Sequence, residues 1–120
     1  MKQAKITNPE LIDLITLLKR ESREKQAGIW LDIAEYLSKS RSQRVSVNLS
    51  KISRHTKRAD TVVVPGKILG SGSLNHAVTV ASFDASEKAK AKLVAAKAKY
   101  ISISELLKKN PKGSNVKIIR

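Results

Sequence analysis

The sequence has no cysteine, which removes disulfides, thiolate metal sites and cysteine nucleophiles together and fits a reducing compartment, the cytoplasm by default. Aromatic residues are scarce at 3% of 120 positions, and Trp30, Tyr36, Phe83 and Tyr100 are the whole set. A core built from this chain is therefore aliphatic, and a platform of aromatic rings stacked on bases is not expected. Trp30 reads as a core or protein-contact residue. With two histidines, His55 and His76, a metal site would need carboxylates as well, and the nearest acid in sequence is Asp60. Long apolar runs are missing too. The best stretch, Leu11 to Leu18, is broken by Asp13 and falls short of the roughly 20 residues that span a bilayer. Glu10 and Asp13 at its start and Lys19 and Arg20 after it do not fit a secretory signal. Membrane association, a metal, a cofactor and a small-molecule substrate are all unexpected.

Acidic residues are the scarcest large class relative to their opposites: 10 Asp and Glu stand against 24 Lys and Arg, for a net charge of +14. A chain of this kind seeks polyanions. The excess is uneven, since residues 1–40 carry seven basic and six acidic side chains, residues 41–80 seven and one, and residues 81–120 ten and three. Charge of one sign over the last 80 residues would repel itself without a partner, so nucleic acid is the implied ligand and the near-neutral first third is left for packing. Composition alone also permits a DNA-compacting protein. Scattered rather than tail-clustered lysines, together with a buried-core pattern, count against that reading.

Along the chain, Asn8-Pro9-Glu10 predicts a helix start with Asn8 as cap and Pro9 at the first helical position. Leu11, Ile12, Leu14, Ile15, Leu17 and Leu18 then recur with helical period. A second helix is expected from about Glu24 to Leu37, with Ile29, Trp30, Ile33, Ala34 and Leu37 inward and Lys25, Asp32 and Glu35 outward, antiparallel to the first. Residues 38–44 lack apolar side chains and predict an exposed basic connector. Val45 and Val47 alternate as in a short strand, and Asn48 or Ser50 can cap a short basic helix through Lys51, Ile52, Arg54 and His55. Thr61 to Val64 is a β-branched run that Pro65-Gly66 should terminate or bend, and Val78 to Val80 is another. Asp84-Ala85-Ser86-Glu87 has the form of a capping box with Asp84 at the cap, opening a helix to about Ala98. Tyr100-Ile101 as a strand, Ser104 to Lys109 as a helix and Val116 to Ile119 as a closing strand complete the chain. The implied fold is α/β (α+β): one domain, 1–120, in which a helical part (1–40) packs on a mixed part (45–120).

Gly66, Gly70 and Gly72 match neither phosphate-loop nor dinucleotide fingerprints, because Ser71-Gly72 follows Gly70 where Lys and Ser or Thr are needed and Asn75 stands where a third glycine would. The segment Gly70-Ser71-Gly72-Ser73 still offers backbone N–H groups and two hydroxyls near Lys67. It suits either an RNA-phosphate contact or a turn with a purely structural role. His55 lies between Arg54 and Lys57, which suits RNA contact or an idle surface position. A Ser-His-acid hydrolytic set finds nothing in its favour, and no enzymatic activity is expected.

Val45 to Ile52, the run Asp60-Thr61-Val62-Val63-Val64-Pro65-Gly66-Lys67-Ile68-Leu69-Gly70-Ser71-Gly72, and Val78 to Ala81 together resemble large ribosomal subunit protein eighteen of the archaeal and eukaryotic type. Thr7 to Leu11, Trp30 to Ala34 and Asn110-Pro111-Lys112-Gly113-Ser114 extend the likeness over nearly the whole chain, whose length suits the short archaeal form. The resemblance implies a structural constituent of the large subunit, in the cytoplasm, bound to its ribosomal RNA and to neighbouring ribosomal proteins. It also implies a fold shared with the C-terminal part of ribosomal protein fifteen, an irregular array of β-β-α turns. The expected RNA-contact set is Lys39, Arg41 and Arg44 in the connector, Lys51, Arg54, His55, Lys57 and Arg58 around the short helix, and Lys67, Ser71, Ser73 and His76 in and beside the glycine segment. Lys88 and Lys92 on the later helix and Lys112 near the end complete it. Ala77 departs from the family, where Lys or Arg is expected after this histidine, and puts one contact in doubt.

Overall fold

Local caps start the fold where the sequence predicts. In the computed structural model, which describes residues 8–39 and 45–120, the Asn8 side chain accepts the N–H groups of Glu10 at 2.9 Å and Leu11 at 3.4 Å. With Pro9 next, α1 (Pro9–Lys25) begins there. It runs further than its pattern suggests. Gln26 turns left-handed (φ 52) and the N–H of Ala27 reaches back to the Ser22 carbonyl at 3.1 Å, closing the last turn. The second helix, α2 (Gly28–Leu37), therefore starts after Ala27 rather than near Glu24, and Lys25 belongs to the end of α1. Trp30, Ile33, Ala34 and Leu37 are buried as expected, Ile29 partly so.

Beyond the helical pair, β1 (Val45–Asn48), α3 (Leu49–Arg54), β2 (Thr61–Leu69), β3 (Thr79–Ala85), α4 (Glu87–Ala95), β4 (Lys99–Ser102), α5 (Ile103–Lys109) and β5 (Val116–Ile118) follow in order. All strand pairings are parallel. Pro65-Gly66 does not end its strand: β2 continues to Leu69, with the register against β3 shifting between Val64 and Lys67. Such an irregularity is where a central strand tolerates a residue with no N–H to donate. The capping box is displaced as well. Ala85 pairs with Ile68, so β3 extends through the expected cap, and Ser86 caps α4 instead, its Oγ accepting the Ala89 N–H at 3.1 Å. Asp84 accepts the neighbouring Ala85 N–H. The helix ends at Ala95, not Ala98, in a left-handed Lys97 (φ 59).

The strand order is β1-β2-β3-β4, and β5 pairs with β2 beside Thr61 to Val63 while β1 pairs further along, at Gly66 to Leu69. Since β3 occupies the other edge of β2, β1 and β5 lie end to end on one edge. Right-handed crossovers between strands added in one direction place their connections on one face, and the return from β4 to β5 must use the other. The burial follows this rule. Leu49 and Ile52 of α3, Leu74 and Val78 of the 70–78 segment, and Ala89 and Leu93 of α4 share a core with Val62, Val64, Ile68 and Val80. The opposite core joins α1, α2 and α5 to Val63, Ala81 and Ile101. Among the described residues no helix is long and apolar enough to cross a membrane.

Candidate nucleic-acid interface

The two faces differ in charge because of which connections the topology sends to each. Segments 49–58, 70–78 and 86–98, on the α3 and α4 side, hold eight Lys and Arg residues and one acid, Glu87. Helices α1, α2 and α5 hold six basic and seven acidic residues. The first face is thus the one that attracts a polyanion.

Its centre is the link from β2 to β3. Parallel neighbours usually need a crossover of a dozen or more residues, commonly a helix. Here residues 70–78 span the return alone, as a strap laid along α3. The Ser50 N–H donates to Ser71 O at 3.3 Å, the Asn75 N–H to Ser53 Oγ at 3.4 Å, and the Ala59 N–H to Ala77 O at 2.8 Å. Thr56 is buried, and its hydroxyl donates to Ile52 O at 2.7 Å. One hydroxyl carries one proton, so with that proton on Ile52 O the Thr56 Oγ1 accepts from His76 Nε2–H, also at 2.7 Å. From the other side, Lys92 Nζ donates to Gly70 O and Gly72 O, each at 2.7 Å. Gly72 has φ +80, and a Cβ there would stand 2.5 Å from Ser50 Cβ. The strap is tied at both margins.

Lys51, Arg54, His55, Lys57, Arg58, Ser71, Ser73, His76, Lys88 and Lys92 all come together on this face; Lys51 is partly buried and donates to Arg120 O, and the others fall in two classes. Arg54, His55, Lys57, Arg58, Ser71, Ser73 and Lys88 are exposed, whereas Lys92 and His76 are partly buried and tie the strap. The Lys88 stem packs on Gly70. Lys67 is not brought to the strap. It pairs with Ser46 and Asp84 across the sheet and points away from Ile68, whose side chain is in the α3 and α4 core. Lys112 sits in a turn tethered to α2, where the fully buried Trp30 donates Nε1–H to Pro111 O at 2.7 Å. Trp30 is thus a core residue. Lys39 lies 5.1 Å from the Tyr36 ring centroid at the end of α2, and Arg41 and Arg44 lie outside the described residues.

The expected RNA-contact set left out Lys90 and Lys97, exposed on or just after α4, and two cations brought in by β5. Lys117 Nζ meets Asp60 Oδ2 at 2.9 Å. The Arg120 guanidinium lies 5.4 Å from the Tyr36 centroid and donates to the Tyr36 hydroxyl, while Arg120 O accepts from Lys51 Nζ. The Asp60 carboxyl is held below the ordinary carboxylate range, first by the Lys57 N–H at 2.8 Å and then by the Lys117 ammonium.

The family model for ribosomal protein 60S L18 and 50S L18e matches residues 1–120. The chain is 49% identical over 114 residues to the large ribosomal subunit protein eL18 of Methanospirillum hungatei, covering 95% of this chain and 94% of that one. It is 48% identical over 118 residues to that of Methanosphaerula palustris (98% of each chain) and 46% identical over 113 residues to that of Archaeoglobus fulgidus (94% of this chain, 97% of that one).

Proposed function

The chain belongs to the family of ribosomal protein 60S L18 and 50S L18e, and from that membership we propose that it is held in the large subunit by the α3 and α4 face, bound to ribosomal RNA. It is a structural constituent of that subunit. The observation that carries the binding mode is the charge division between faces, eight basic residues to one acid against six to seven. The exposed Arg54, Lys57, Arg58 and Lys88 meet phosphates, with His55, Ser71 and Ser73 adding hydrogen bonds. Lys92 and His76 act through the strap they hold. Lys67, Lys112, Lys39, Arg41 and Arg44 serve as outlying contacts, and the α1, α2 and α5 face is left for neighbouring ribosomal proteins. Residues 1–120 work as one domain, supported by the core that α2 shares with Val63, Ala81 and Ile101. The protein works in the cytoplasm and carries no catalysis of its own.

Sedimentation of tagged protein through a gradient at moderate salt tests the reading. It should travel with large subunits, and recovery with bulk DNA instead would contradict it.

A further inference from the structure

The chain brings three cationic side chains and a histidine to one cleft at the edge of the sheet, and we propose that this cleft holds a single phosphate of the RNA backbone. Its walls are Lys51 and His55 on and after α3, facing Lys117 and Arg120 on and after β5, over a floor of Ile118 and Ile119. No acidic side chain lines it, and the Arg120 main-chain oxygen in it is taken by Lys51 Nζ. The elements meet because β5 pairs with Thr61 to Val63 of β2, which sets residues 116–120 beside α3 although about 60 positions separate them in sequence.

The cations are positioned rather than loose. Lys51 Nζ donates to Arg120 O, so an ammonium stands at the mouth with further N–H groups to offer. Arg120 is steadied by the Tyr36 hydroxyl and ring, and a guanidinium presents five donors in a fork. Lys117 is tied to Asp60 at 2.9 Å, which lies outside the lining and neutralises one charge without occupying the cavity. His55 is exposed. Donors lining a concave space with no acidic side chain fit one tetrahedral oxyanion. A cationic guest would be repelled by the charge of Lys51, Lys117 and Arg120.

This inference rests on RNA binding as the protein's role, so its test includes a probe that needs no RNA. Pyrophosphate is titrated into the full chain at constant pH and ionic strength while the imidazole resonances of both histidines are followed by NMR. His55 should shift saturably. His76, with one ring nitrogen held by Thr56 and outside the cleft, is the internal reference and should move little. Lys51→Ala should weaken the His55 response about tenfold. Arg120→Ala, whose side chain is exposed, should do likewise with the melting temperature unchanged. Equal, non-saturating shifts of both rings, or an unchanged titration in both variants, would overturn the cleft. In parallel, Lys51→Ala should reduce the salt dependence of large-subunit RNA binding by about one contact. Saturable pyrophosphate binding without preference for that RNA would sink the RNA reading and leave the cleft standing, whereas strong RNA binding with a silent cleft would do the reverse.

Discussion

Lys92 illustrates how one lysine on a basic surface differs from its neighbours. Its ammonium donates to the carbonyls of Gly70 and Gly72, so Lys92→Met, which keeps the stem, should lower stability by about 1–2 kcal/mol in thermal unfolding. Lys88→Met should leave stability within about 0.5 kcal/mol and weaken RNA binding; the opposite pattern would contradict the assignment. Gly72→Val meets both a left-handed backbone and the Ser50 side chain, and a loss of more than about 1 kcal/mol is expected. Asp60 supplies a pH dependence. Its carboxyl titrates below the ordinary range when folded, so the stability it adds is present above the unfolded value of about 4 and is lost as pH falls through the folded value. Asp60→Asn should therefore flatten the acid limb of the melting-temperature profile. An unchanged limb would remove Asp60 from the account. The sequence marks Gly70 to Ser73 as a turn or a phosphate contact, but it cannot show that Lys92 and His76 hold the strap, because their partners lie 20 or more positions away.

At the scale of elements, what is encoded locally was legible. Asn8-Pro9 starts α1, and helical periodicity marks the buried faces of α1 and α2. The misplacements arise where pairing between distant strands decides. At Pro65-Gly66 the shifted register disturbs β2 without ending it, the second of the two outcomes expected, and the Ile68 to Ala85 pairing moves the cap of α4 from Asp84 to Ser86. The face of Lys67 was hidden for the same reason, since strand register and not neighbourhood in sequence separates it from the strap. The break between α1 and α2 at Gln26 offers a test of the terminus itself. A glycine there has no Cβ to strain at φ 52, so Gln26→Gly should stabilise the chain by about 0.5–1 kcal/mol, whereas a loss would show that the Gln26 side chain matters to the cap.

For the whole molecule, parallel topology does the sorting. Successive crossovers in one direction send α3, the strap and α4 to one face, and the return through α5 joins α1 and α2 on the other. The count of charge along the sequence anticipated an almost neutral N-terminal third, but it could not show that α5 would join that side. The central claim is that the α3 and α4 face, and not net charge alone, binds RNA. The most direct measurement compares two double charge reversals with identical net charge, Arg54→Glu with Lys88→Glu and Lys25→Glu with Lys108→Glu, in salt-titrated binding to large-subunit RNA. Both alter the long-range field equally. The first pair should lose affinity by tenfold or more and reduce the salt slope by about two contacts, while the second stays within roughly twofold and keeps its slope; equal losses from both pairs would contradict the account.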